Sequence, residues 1–271
     1  MALWEWLAER RPMAQPRPRR WMANVGISLL DTLLVRLLFP TAAFGVALLA
    51  EAEGWGLFHY FDTPIALASV ASVVLLDLAI YLQHVMFHAV PALWRLHMVH
   101  HSDQDFDATT GIRFHPVEIL LSLFLKFGVV VALGCPPVAV VVFEVLLNAT
   151  SLFNHGNVRL AGALDRPLRW LVVTPDMHRV HHSVEVDESN SNFGFNLSLW
   201  DRLFGTYRAQ PRAGHEAMGL GVTELLRSEA RSLPELLALP FGRTRGRQPI
   251  GERWTPRVAD EDGDRGGDPP A

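Results

Sequence analysis

The feature that most constrains this chain is a set of apolar runs long enough to cross a lipid bilayer. The first run, Val25 to Ala50, has 26 positions, and about 20 helical residues are enough to cross about 30 Å of hydrocarbon. A second run follows the cap-like segment Asp62-Thr63-Pro64 and continues to Leu82, with Asp77 as its one charged residue. We therefore predict two transmembrane helices, the first of them tilted or kinked at Pro40.

Two further apolar runs form a predicted helical hairpin. Val117–Leu133 and Val138–Phe153 contain 17 and 16 residues, and they are joined by Gly134-Cys135-Pro136-Pro137, whose prolines end helical geometry. At about 1.5 Å per residue each arm reaches about 25 Å. The hairpin therefore either crosses a thin region or re-enters the bilayer, and in both cases it returns to the side that it left.

Four charged residues lie within these runs. Lys126 is nine residues before Cys135 and Glu144 is nine residues after it, so we predict an ion pair between the arms, because an isolated charge at that depth is costly. Asp31 and Arg36 could pair in the same way, although a separation of five residues fits one helix face poorly. For all four residues the sequence favours a structural role.

The distribution of basic residues predicts the orientation of the chain. Five arginines precede the first run, whereas the segment 51–63 and the turn at Cys135 contain no lysine or arginine. The positive-inside rule therefore places the N-terminus and everything that follows Leu82, outside the hairpin, on the cytoplasmic side. We predict an all-α integral membrane bundle with about four membrane-embedded helices and a cytoplasmic, histidine-rich helical cap. We divide it into a basic N-terminal segment (1–24), a membrane-embedded catalytic domain (25–242) and a disordered tail (243–271) that is rich in Gly, Pro, Arg and Asp.

Composition excludes two classes of site. The formal net charge is −4 and Lys126 is the single lysine, so the chain lacks the basic face of a nucleic-acid-binding protein. Cys135 is the single cysteine, which excludes an internal disulfide and a cysteine-ligated metal cluster. The N-terminal 22 residues also lack the small-residue cleavage site of a secretory signal peptide.

Twelve histidines remain as a supply of metal ligands, and eight of them fall into three motifs. Because positions i and i+4 on a helix differ by about 40° and positions i and i+3 by about 60°, each motif presents its imidazoles on one helix face. A single pair of this kind arises easily by chance, whereas three motifs on one predicted side of a membrane do not. Eight imidazoles are too many for one tetrahedral zinc site, so we predict two metal ions. The predicted ligands, which we also regard as the catalytic set, are His84, His88, His97, His100, His101, His178, His181 and His182.

Two more histidines are candidate ligands. His155 follows the hairpin directly and would meet the cytoplasmic cluster, and His115 lies at the start of the hairpin, where ligation and an indirect role are equally favoured. Ligating histidines usually donate their second nitrogen to a carboxylate or a carbonyl. Candidate acceptors are Asp77, Asp103, Asp107, Glu118, Asp176 and Asp201.

At these motifs the sequence resembles the fatty acid hydroxylase or sterol desaturase superfamily of integral membrane diiron oxygenases. The resemblance is carried by His84-Val-Met-Phe-His88, His97-Met-Val-His100-His101 and His178-Arg-Val-His181-His182, in that order, with a hydrophobic hairpin before the third motif. Also similar are the segments Arg113-Phe-His115-Pro116-Val-Glu118, Asn154-His155-Gly-Asn157-Val-Arg159 and Asn192 to Tyr207. The match covers roughly residues 60–210.

The resemblance implies an enzyme that uses two non-haem irons, O₂ and electrons from a separate reductase to hydroxylate or desaturate a C–H bond of a lipid. The lipid could be a sterol, a fatty acyl chain or a related molecule. Within enzymes, the same site could instead perform ether cleavage or demethylation. An alternative of another class is a non-catalytic metal-binding or metal-transport membrane protein.

Overall fold

The computed structural model describes residues 1–227 and 229–243, so the tail predicted for 243–271 lies outside the described residues apart from Arg243. Within the described part the chain is helical, and its β structure consists of three isolated bridges. The helices are α1 (Ala2–Leu7), α2 (Arg17–Leu38), α3 (Ala42–Ala52), α4 (Leu57–Tyr60), α5 (Ile65–Ala89), α6 (Pro91–His101), α7 (Pro116–Leu133), α8 (Pro137–Asn154), α9 (Gly162–Leu168), α10 (Pro175–His181), α11 (Val186–Ser189), α12 (Leu199–Leu203), α13 (Gly214–Ala217) and α14 (Leu233–Ala238).

Four helical segments are long and apolar enough to cross a membrane, which confirms the predicted number. They are the segment Arg17–Tyr60 that contains α2 to α4, and the helices α5, α7 and α8. The first segment is interrupted rather than kinked, because α2 ends at Leu38 and α3 begins at Ala42. Pro40 lies in this gap, where it has no amide hydrogen to donate and disfavours helical geometry in the residue before it.

The predicted hairpin is confirmed, with α7 and α8 as its arms. Gly134 ends α7 in the left-handed conformation at φ +68°, and its N–H donates to Val130 O. The backbone of Gly56 packs against this turn so closely that a Cβ on Gly56 would lie 2.1 Å from Gly134 N. The two loops that lack lysine and arginine therefore meet at one end of the bundle.

Of the two ion pairs considered within the spans, the predicted one forms and the one that the spacing disfavours does not. Lys126 Nζ lies 2.7 Å from Glu144 Oε1, so the predicted pair between the arms forms. The other possible pair, between Asp31 and Arg36, does not form. Arg36 instead donates to Pro40 O, four residues along the chain, because the five-residue separation places the two side chains on different parts of the helix surface.

The arms of the hairpin pack on α3 and α5 more than on each other. Small residues of α3 allow this close approach, and they share an apolar core with side chains from α5, α7 and α8. The buried members of this core are Ala43, Ala47, Leu76, Ile80, Val130, Cys135, Val140 and Phe143.

The opposite end of the bundle gathers the N-terminal segment and the histidine-bearing helices. Arg20 on α2 makes buried ion pairs with Asp103 and Asp107, which follow α6. Glu5 accepts hydrogen bonds from the backbone N–H groups of Ala108 and Asn157. The N-terminus and the three histidine motifs thus share one end of the molecule, and the side of the membrane on which this end lies remains a prediction.

Candidate metal centre

Four helices deliver the histidines to one buried region. The C-terminal half of α5 carries His84 and His88, and α6 carries the second motif after Pro91, which is favoured in the first helical turn. Pro175 starts α10 in the same way, and α10 and the residue after it carry the third motif. His155 follows the last residue of α8. Each of the nine rings belongs to a residue that is at most 6% exposed.

The nine imidazoles divide into two groups, and within each group one ring nitrogen of every histidine lies within 4.8 Å of the others. We name them the five-histidine group and the four-histidine group. The first consists of His84, His88, His97, His101 and His181, and the second consists of His100, His155, His178 and His182. Each group could hold a metal ion, so the geometry matches the predicted pair of sites.

Distances between ring nitrogens are those of ligands to a common ion. His88 Nε2 lies 3.2 Å from His101 Nε2 in the five-histidine group. In the four-histidine group, His155 Nε2 lies 3.2 Å from His100 Nε2 and 3.1 Å from His178 Nε2. Two nitrogens bound about 2.1 Å from one ion at tetrahedral or octahedral angles are about 3.0–3.4 Å apart.

Outer hydrogen bonds orient three rings of the five-histidine group. The Nδ1–H groups of His84 and His181 donate to the backbone carbonyls of Phe193 and Ser191, both at 2.8 Å. His97 Nδ1–H donates to Glu118 Oε1 at 2.6 Å. The Nε2 atoms of these three histidines are buried and have no hydrogen-bond partner among the described residues. Such orphaned lone pairs fit metal ligation, because each ring has its proton on Nδ1 and its acceptor on Nε2.

Two further rings have comparable outer contacts. His155 Nδ1–H donates to Ser151 O at 2.8 Å, and His88 Nδ1 lies 3.2 Å from Asn190 Oδ1. Three of the five outer partners are therefore backbone carbonyls, and sequence reasoning missed these partners because a carbonyl leaves no residue signature. The sequence offered one signal for them: the segment that begins at Asn192 and contains Phe193 resembles the same superfamily as the histidine motifs.

Burial keeps the imidazoles outside the spans neutral. It lowers the pKa of His97 to about 3 and that of His155 to about 4. Burial, reinforced by neighbouring imidazoles, lowers the pKa of the other rings well below the usual value of 6.5, namely those of His100, His101, His178, His181 and His182. Neutral imidazole is the form that binds metal.

Among the predicted carboxylate acceptors, Glu118 makes the one direct carboxylate contact with an imidazole of the two groups in the described part of the chain. Asp77 and Asp201 instead accept hydrogen bonds from the backbone of residues 193–197 and so hold the segment that contacts the rings. Asp103 and Asp107 pair with Arg20, as described above. Asp176 pairs with Arg10 and Arg179.

His115 lies outside both groups. Its Nδ1 accepts the N–H of Val117 at the start of α7, and its Nε2 lies 3.3 Å from Leu237 O. Both ring nitrogens therefore have protein partners, and we remove His115 from the candidate ligands.

The fold and this centre define a helical protein with four candidate membrane spans and two adjacent, buried groups of histidines, each of which could hold a metal ion. The family model described as fatty acid hydroxylase matches residues 69–206, which is half of the chain and includes all nine histidines. The chain belongs to the fatty acid hydroxylase family.

Relatives in this family are lipid hydroxylases and monooxygenases. The chain is 30% identical over 190 residues to the ornithine lipid hydroxylase OlsE of Rhizobium tropici, covering 70% of this chain and 55% of the relative. It is 33% identical over 132 residues to the alkylglycerol monooxygenase of Xenopus tropicalis (48% and 28%). It is 30% identical over 142 residues to human cholesterol 25-hydroxylase (50% and 49%). The chain thus spans about half, or less, of the length of these relatives. No solved structure matches it significantly.

Proposed function

We propose that this protein is a membrane-bound, non-haem diiron oxygenase that hydroxylates a C–H bond of a lipid. The observation that carries the proposal is the division of nine buried imidazoles into two adjacent groups, each with enough ligand nitrogens for one ion. Imidazole suits iron as well as zinc, but zinc cannot exchange electrons. The names of the relatives support hydroxylation over desaturation.

The overall reaction combines the lipid C–H compound, O₂, two electrons and two protons to give the lipid alcohol and water. When bound, the iron pair would supply the reduction of O₂ that this conversion needs. The electrons come from a separate donor protein in our proposal. The side of the membrane that faces this donor is the cytoplasmic side, as predicted from the arginine-free loops at the other end.

The residues of this chain hold and shield the centre. Glu118 and the carbonyls of Phe193 and Ser191 fix the direction of three imidazole lone pairs, so that the ligands need little rearrangement when metal binds. Phe114 stacks on His100 with ring centroids 4.5 Å apart, and buried Phe106 lies 5.5 Å from His155. These aromatic rings exclude water from the four-histidine group.

Metal analysis of the purified protein tests this function, with two histidines as a matched pair. We expect about two irons per wild-type chain, a lower content in His155→Ala and an unchanged content in His115→Ala, because His115 lies outside both groups. Lipid profiles of cells that express each variant should follow the iron content, with His100→Ala as an inactive control. A single exchangeable zinc, or a wild-type lipid profile from His100→Ala, would instead favour the metal-binding alternative.

A further inference from the structure

A cavity of about 560 Å³ lies beside the metal centre, within the apolar part of the bundle. Its walls come from α2, α3, α5 and the two arms of the hairpin, which make few direct contacts with each other. It extends from the Lys126–Glu144 pair to Phe114 and Glu118, which contact the histidines. This volume falls within the range of about 300–1,000 Å³ that is usual for small-molecule sites.

Three buried oxygen atoms line this cavity without a hydrogen-bond partner in the described part of the chain. They are Asp31 Oδ1, Gln83 Oε1 and Glu118 Oε2, and their residues are 6%, 9% and 4% exposed. Each residue belongs to a different helix. An unsatisfied polar atom costs several kcal/mol in a bilayer, where no water replaces the missing partner. One of these atoms, the amide oxygen of Gln83, can only accept, so three such oxygens around one cavity favour a ligand that donates hydrogen bonds.

The neighbouring groups leave these acceptors free. Gln83 Nε2 donates to Ser122 Oγ at 3.1 Å, so the amide oxygen is the atom that lacks a partner. Glu118 uses Oε1 for His97 and leaves Oε2. The two cations of the cavity wall are engaged elsewhere, Lys126 with Glu144 and Arg36 with Pro40 O.

The cavity also has an apolar side that faces lipid. Val141 and Val145 on α8 line the cavity, and they are 44% and 63% exposed. Since α8 is one of the candidate membrane spans, this side gives the hydrocarbon part of a lipid a route to the bilayer.

We propose that this cavity binds a lipid through a hydrogen-bond-donating group, an alcohol O–H or an ammonium N–H, that Asp31, Gln83 and Glu118 accept. The proposal rests on the proposed function and adds a substrate class to it. The polar group of the substrate lies at the Glu118 end of the cavity, beside His97, and its alkyl part extends between the arms of the hairpin. Asp31 and Gln83 therefore determine specificity, and the oxidised carbon is close to the polar group rather than at the far end of the alkyl chain.

Binding of three probe lipids to the metal-loaded protein in nanodiscs tests this proposal without relying on turnover. The probes are 1-hexadecanol, hexadecylammonium and methyl hexadecyl ether, of which the ether cannot donate a hydrogen bond. We expect wild type to bind at least one of the two donors about tenfold more tightly than the ether, because one or two buried hydrogen bonds give about this difference in affinity. Asp31→Leu and Gln83→Met should each remove most of this preference and leave the affinity for the ether unchanged.

Two further variants sharpen the test. Thr32→Val is the matched control, because Thr32 lines the same cavity but its hydroxyl already donates to Ser28 O at 2.9 Å; it should keep the preference. Asp31→Asn retains an acceptor without the charge, so it should keep the affinity for the alcohol but lose that for the ammonium ion. Equal binding of all three probes to wild type, or an unchanged preference in both Asp31→Leu and Gln83→Met, would overturn the proposal.

Iron content and lipid profile, measured on the same preparations, separate this proposal from the proposed function. A protein that prefers the donor probes but contains no iron retains the cavity proposal and loses the enzymatic one. A protein that contains iron and hydroxylates a lipid, but shows no preference for the donor probes, retains the enzymatic proposal and loses the cavity proposal.

Discussion

Asp77 on α5 organises the segment that covers the metal centre, and its replacement should weaken one of the two metal sites. The carboxylate is 1% exposed and accepts hydrogen bonds from Asn196 N at 3.3 Å, Leu197 N at 3.2 Å and Trp200 Nε1 at 2.8 Å. The segment that it holds continues back to Phe193, whose carbonyl orients His84.

The magnitude follows from the three donors that Asp77→Ala leaves without a partner. A buried donor that loses its acceptor costs about 1–2 kcal/mol, so the free energy of unfolding should fall by about 3–6 kcal/mol. Loosening of outer contacts typically lowers metal affinity by about 10- to 100-fold. This loss should fall on the five-histidine group, because His84, His88 and His181 take their outer contacts from residues 190–193.

The assay combines thermal melting in detergent with metal analysis of the same sample. We expect a lower midpoint for Asp77→Ala and a metal content that falls from about two ions toward one. Asp31→Ala is the control: it also removes a buried carboxylate from a membrane span, but one whose Oδ1 has no partner in the described residues, so its midpoint should equal or exceed that of wild type. A melting midpoint equal to that of wild type, together with two retained ions, in Asp77→Ala would refute this role of Asp77.

Three other changes have definite expected outcomes. Lys126→Met should cost about 2 kcal/mol, because it leaves Glu144 unpaired at membrane depth, and the double variant with Glu144→Leu should recover most of the loss in the same melting assay. Gly56→Ala should cost about 2 kcal/mol or more, because its φ is +99° and the new Cβ would meet Gly134 N. Gly128→Ala should be neutral or stabilising, since outside the backbone of its own helix no atom lies within 4 Å of a Cβ there. Removal of metal with a chelator should lower the melting midpoint by about 5 °C or more, and ferrous iron should restore it; an unchanged midpoint would mean that the histidine groups are not a folding-linked metal site.

The long helices could be predicted from the sequence, because length and hydropathy determine a membrane span. The observed hairpin arms, Pro116–Leu133 and Pro137–Asn154, agree with the predicted ones to within one residue at each end. The agreement is close because prolines and Gly134 mark the boundaries. The first span was predicted less well. The sequence predicts one helix that is tilted or kinked at Pro40, whereas the structure has a break between α2 and α3. Hydropathy does not register such a break when the residues on both sides are apolar.

The histidine motifs could also be predicted from helical spacing, because i, i+3 and i+4 positions share a face whatever the tertiary structure. The assignment of each ring to one of two groups could not. His100 and His101 are adjacent in sequence, yet they belong to different groups, because successive helical residues differ in direction by about 100°. Which neighbour each ring meets is decided by tertiary packing, which brings His101 to His88 and His181, and His100 to His155 and His182.

The ionisable residues of the spans show why burial alone does not separate structural charges from functional ones. In the sequence, Asp31, Asp77, Lys126 and Glu144 are equivalent interruptions of apolar runs, and a structural role was favoured for the pairs. The structure distinguishes them by their partners: Asp77 accepts three hydrogen bonds and Lys126 pairs with Glu144. Asp31 lines the cavity with a carboxyl oxygen that has no hydrogen-bond partner among the described residues. A bilayer penalises such an atom in the ligand-free protein, so its presence is best explained by a ligand that satisfies it.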